Sequence, residues 1–92
     1  MTIENRKEIY ESAVTKWGIA PQMNMTIEEC SELIKSICKA HRYGDSPEIC
    51  ESVIDEIADV TIMCEQMAFI FGEELVQNKI EEKLKRLEKR LE

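Results

Sequence analysis

Residues 47–71 read PEICESVIDEIADVTIMCEQMAFIF, and the spacing of apolar side chains in this stretch decides the fold. Val53, Ile57, Val60, Cys64, Met67 and Phe71 recur at intervals of 4, 3, 4, 3 and 4, which predicts a helix with a coiled-coil-like seam. Ala58, Ile62 and Phe69 point the opposite way, and Met63 and Ile70 lie to one side. From Ile57 to Phe71 only Asp59, Thr61, Glu65 and Gln66 are strongly polar. A helix that is apolar nearly all round has to be buried all round. The sequence therefore predicts an oligomer joined through this helix.

The flanks supply the punctuation. Ser46 reads as the N-cap, Pro47 as the first helical residue and Gly72 as the stop. Upstream, Tyr43-Gly44-Asp45 is the clearest break in the chain, and residues 22–41 before it carry Ile27, Cys30, Ile34, Ile37 and Cys38 as an apolar stripe. Thr26 and Glu29 also have the spacing of a capping box. Residues 5–17 place Ile9, Tyr10, Ala13, Val14 and Trp17 on one face, closed by Gly18 and Pro21. Downstream, residues 73–91 carry Val76, Ile80, Leu84, Leu87 and Leu91. No run alternates like a strand, and no linker divides the chain. The expectation is one all-α domain over residues 1–92, an antiparallel four-helix bundle with short connections.

Composition narrows the function classes. With 12 Lys and Arg against 19 Asp and Glu, the formal charge of −7 argues against a duplex nucleic acid partner, which needs a basic footprint. No apolar run is long enough to span a membrane, and no secretory leader precedes the first helix, so a cytoplasmic protein is expected. A chain of 92 residues buries only part of its unfolded surface, about two-thirds, which again favours self-association. Cys30, Cys38, Cys50 and Cys64 form no C-x-x-C pair, and three of them fall in apolar helical patterns. They read as reduced, buried thiols. Zinc is disfavoured because His41 is the only histidine. A di-iron bundle would need E-x-x-H, and the residue three before His41 is Cys38. His41 suits the negative end of a helix dipole.

Two acidic motifs carry the chemistry. Glu28-Glu29-Cys30-Ser31-Glu32 has the pattern E-E-x-x-E, and Asp55-Glu56-Ile57-Ala58-Asp59 repeats it as D-E-x-x-D on the next helix. At roughly 100° per residue, Glu29 and Glu32 are neighbours one turn apart, as are Glu56 and Asp59. Facing helices would gather four carboxylates, which repel one another severely unless a cation joins them. An all-oxygen donor set selects Mg²⁺ or Mn²⁺. Glu56 and Asp59 also share a stripe with Met63 and Ile70, unlike a purely solvated acidic face. The plainer alternative is that the acids only solvate their helices. On the last helix, Lys79, Lys83, Arg86 and Arg90 form a basic stripe suited to phosphate oxygens, or to ion pairs with neighbouring acids. Trp17 could stack on a nucleobase or serve as core.

With these motifs in place, the chain resembles the MazG-like all-α nucleoside triphosphate pyrophosphohydrolases. The resemblance rests on Glu28, Glu29 and Glu32 followed by Glu56 and Asp59, and on KWG at Lys16 to Gly18, EECSELIKSICK at Glu28 to Lys39, DEIADVTIM at Asp55 to Met63 and the basic tail KIEEKLKRLEKRL. It implies a Mg²⁺-dependent homodimer or homotetramer that splits a nucleoside triphosphate between its α- and β-phosphates, releasing the monophosphate and pyrophosphate. Carried over, Glu29, Glu32, Glu56 and Asp59 would be metal ligands. Glu28 would be an accessory ligand or would position the attacking water, so that Glu28 and Glu32 enter catalysis. Lys79, Lys83 and Arg86 would reach the phosphates and Trp17 the base. Two alternatives stay open: a phosphoribosyl-ATP pyrophosphatase-like enzyme, and a non-catalytic helical oligomer or adaptor.

Overall fold

The computed structural model describes residues 1–92 as four helices and no strands: α1 (Ile3–Trp17), α2 (Ile19–Tyr43), α3 (Pro47–Phe71) and α4 (Glu73–Arg90). The start of α3 follows the expected chemistry, with Ser46 Oγ accepting from the Ile49 N–H at 3.3 Å and Pro47 at the first position. α2 begins three residues before the sequence reading, at Ile19 rather than Gln22. Pro21 falls in its first turn, where the missing N–H has no intrahelical partner to lose. Gly18, at a φ of 91°, makes the corner between α1 and α2, a backbone region that glycine enters without a Cβ penalty. The expected capping box at Thr26 is not formed. Thr26 lies inside α2 and its hydroxyl donates back to the Gln22 carbonyl at 2.9 Å. A true capping box joins Thr2 and Asn5 at the start of α1.

α2 and α3 pair as an antiparallel hairpin, and polar bonds set its register. Gln66 Nε2 donates to Gln22 Oε1 at 2.6 Å near one end. Ser36 and Ser52 share a hydroxyl bond of 3.0 Å near the other. Midway between them, Glu29 faces Glu56 and Asp59. α1 packs across this pair. Tyr10 is buried there and donates to Glu65 Oε1 at 2.6 Å, while Arg6 reaches the same carboxylate at 2.9 Å and Lys7 pairs with Glu73 at 3.1 Å. Burial and the bond to Glu65 push the Tyr10 phenol up to about 12. α4 packs along α3 and meets α1 at its first turn through the Lys7–Glu73 pair, and none of its residues is buried.

The seam between α2 and α3 differs from the apolar stripes read from the sequence. Met63 and Gln66 are the buried residues of α3, and Gln22 and Ser36 those of α2. Ile27, Ile34, Ile37, Ile57, Cys64 and Phe71 stay exposed on the chain. By helical phase these stripes lie about a third of a turn or more from the seam, on the same side of the antiparallel pair. The thiols follow suit. All four are free, but only Cys30 is half-buried and the other three are exposed, which corrects the expectation of buried cysteines.

Candidate functional site

Glu29 reaches the hairpin seam from α2, and Glu56 and Asp59 reach it from α3. One carboxylate oxygen of each lies within 4.8 Å of the others. The antiparallel register places a carboxylate opposite a carboxylate because Glu29 and Asp59 each stand seven residues from the hydrogen-bonded pairs that flank them. All three residues are half-buried. Glu56 Oε2 is fully enclosed and has no hydrogen-bond partner. Desolvation raises the pKa of Glu29, and the charges of Asp59, Glu56 and Glu28 raise it further. Glu56 is raised for the same primary reason, then by Asp59, Asp55 and Glu32.

An unpartnered buried carboxylate oxygen is costly and rare in folded proteins. Here it belongs to one of three acids that already repel. A hard divalent cation accepts carboxylate oxygens and reverses the sign of that repulsion. The donor set and the orphaned oxygen both fit such an ion.

The remaining predicted residues distribute as follows. Glu32 lies outside the three-carboxylate group but close enough to Glu56 to raise its pKa. The two also line one groove of about 100 Å³, with Lys35, Ser36, Lys39 and Ser52. Glu28 is exposed and acts on the cluster through Glu29. The basic stripe is not brought to the acids within one chain, because α4 has no contact with α2. Lys79 and Arg86 are instead held by Glu82 of their own helix, at 3.0 and 3.3 Å, and Lys83 is exposed. Trp17 is 56% exposed, with the Lys16 ammonium 5.3 Å from its ring centre. It lines a shallow groove along α1 with Ile9 and Ala13, apart from the carboxylates.

Sequence reading missed the polar residues around the acids: the Gln22–Gln66 and Ser36–Ser52 pairs, and Lys35 and Lys39 on the groove wall. The signal was present as a heptad, since 22, 29 and 36 on α2 answer 66, 59 and 52 on α3. No helix is long and apolar enough to cross a membrane. Compared with known proteins, the chain matches no family model, no curated protein and no solved structure.

Proposed function

We propose that the chain is a Mg²⁺-dependent nucleoside triphosphate pyrophosphohydrolase of the cytoplasm, working as a homo-oligomer and releasing pyrophosphate and a nucleoside monophosphate. The observation that carries this reading is the convergence of Glu29, Glu56 and Asp59, together with the unpartnered, enclosed Oε2 of Glu56. These three would hold the cation, with Glu32 one turn along α2 as the fourth carboxylate. When bound, such an ion supplies positive charge for triphosphate oxygens and makes a coordinated water more acidic. The protein's own residues do the rest. Glu28, exposed beside Glu29 at the rim, can accept a proton from a water approaching the α-phosphate. The absence of a Ser–His or Cys–His pair, given a single histidine, suits direct attack by water over a covalent intermediate.

The surface supports the oligomer. The chain exposes 7453 Å², whereas a folded monomer of 10.7 kDa exposes about 5,500 Å². The excess, about 1,900 Å² on each chain, doubles to about 3,800 Å² across a two-fold interface, within the range of obligate homodimers. The radius of gyration agrees, at 15.7 Å against about 12 Å for a compact domain of this length. The apolar side of the α2–α3 hairpin, with Ile57 and Phe71 of the third helix, is the face a second copy would cover, and the apolar stripe of α4 would complete an antiparallel bundle against it.

The test is a pyrophosphate-release screen with Mg²⁺ over ribo- and deoxyribonucleoside triphosphates, oxidised nucleotides and phosphoribosyl-ATP, run beside Glu32→Gln and Asp59→Asn. Either substitution should abolish turnover and leave the helical signal intact, since it relieves repulsion without opening a cavity. Full activity in both variants would refute the site, and silence from every substrate would favour a non-catalytic oligomer.

A further inference from the structure

Beside the carboxylates, the groove formed by Glu32, Lys35, Ser36, Lys39, Ser52 and Glu56 contains no hydrophobic side chain. Its wall holds more donor capacity than the chain itself uses. Ser36 is only 5% exposed, and its hydroxyl meets that of Ser52 at 3.0 Å. Two hydroxyls carry two protons, and one bond between them commits one. Neither serine bonds back to its helix, as Thr26 and Ser31 do, so one hydroxyl proton of the pair is left to donate outward. Lys35 and Lys39 stand one turn apart on α2 and enter none of the chain's ion pairs. On α4, by contrast, Lys79 and Arg86 share the one carboxylate of Glu82.

These donors adjoin Glu56, one of the three residues proposed to hold the cation. A ligand satisfying both halves carries several oxyanions, some shared with a metal ion and some free to meet ammonium and hydroxyl groups. A polyphosphate has that form. We infer that Lys35 and Lys39, with the spare proton of the Ser36–Ser52 pair, hold the terminal pyrophosphate portion of the substrate. This inference rests on the pyrophosphohydrolase reading, and it moves phosphate recognition from the α4 stripe to α2.

Calorimetric titration of inorganic pyrophosphate in Mg²⁺ tests it, using wild type, Lys35→Gln, Lys39→Gln, the double variant and a Lys79→Gln/Lys83→Gln control. Each α2 substitution should weaken pyrophosphate binding about tenfold or more, as expected when a charged hydrogen bond is lost. The α4 control should match wild type. Mg²⁺ titrated alone should bind the α2 variants as well as wild type or better, because a nearby positive charge has gone. An α2 double variant that binds pyrophosphate like wild type overturns the lysine assignment, and so does a comparable loss in the α4 control. Both outcomes leave the metal centre standing. Wild type that binds neither Mg²⁺ nor pyrophosphate brings down the site and this inference together.

Discussion

Glu56→Gln should reverse its effect on stability according to whether a divalent cation is present. Without the ion, Glu56 is pushed toward its neutral form by desolvation and then by Asp59, Asp55 and Glu32. An amide there carries no charge to repel, so the variant should melt above wild type in EDTA at pH 8. With Mg²⁺ the order should invert. A cation at ten times its dissociation constant stabilises the folded state by about 1.4 kcal/mol, which in a chain of this length raises Tm by roughly 5–10 °C. The variant lacks both the enclosed oxygen and the charge that would earn that gain, so its Tm should barely move. The gain in wild type should also grow from pH 5 to pH 8, because the ion competes with protons on Glu29 and Glu56. Calorimetric melts at fixed protein concentration, with NaCl matching the ionic strength of MgCl₂, measure all four conditions. An undiminished Mg²⁺ gain in the variant, or a wild-type gain no larger than that from NaCl, would refute the assignment.

Other consequences follow from the same geometry. In metal-free protein, Glu29 and Glu56 have folded pKa values above 4.5, so the folded state binds protons more tightly than the unfolded chain. Their contribution is complete below the unfolded value and is lost as pH rises through the raised folded values. Urea midpoints in EDTA should show wild type falling relative to Glu29→Gln/Glu56→Gln over that window, and an opposite slope would contradict the clustering. Gln66→Leu strands the buried Gln22 side chain and should cost about 1–3 kcal/mol, whereas Gln22→Leu/Gln66→Leu should recover most of it; equal losses in denaturant titrations would exclude a pairwise bond as the cause. Ile57→Asp/Phe71→Asp places charges on the open side of the hairpin and should reduce the mass seen by light scattering to 10.7 kDa, while an unchanged mass would place the interface elsewhere.

The four helices were legible because their stop signals are local. Gly18, Gly44 and Gly72 close helices through their own backbone freedom, and Ser46-Pro47 opens α3 without tertiary help. What the sequence misplaced was the direction in which α2 and α3 face. Periodicity shows that a stripe is apolar, not which neighbour covers it. Here Ile27, Ile34, Ile57 and Phe71 form the more apolar stripes, yet the hairpin closes on Gln22, Ser36, Met63 and Gln66. Polar residues at inward heptad positions are discounted when hydrophobicity alone is counted. The one correct pointer was the alignment of Glu56 and Asp59 with Met63, which is buried, and Ile70, which is half-buried. The α4 stripe is a different case. Its composition was readable, but its position depends on where the chain goes after Gly72, and no local rule sets that.

The polar layers of the hairpin explain why an acid cluster can persist in a seam. Along α2 and α3 the layers recur at heptad spacing as Gln22 with Gln66, Glu29 with Asp59, and Ser36 with Ser52. The outer two satisfy themselves, and a buried polar pair of this kind is a recognised way to fix helix register at some expense of stability. A slip that moved Gln22 or Ser36 off its partner would leave a buried amide or hydroxyl unpaired. The middle layer inherits its alignment from the other two, and once ionised it contains only acceptors. Two hydrogen-bonded layers therefore hold in register a third, which the proposed cation would satisfy. That division separates the cost of building the site from the residues that make up the site, and under the proposed function it would make Gln22 and Gln66 as much a condition for cation binding as the carboxylates they align.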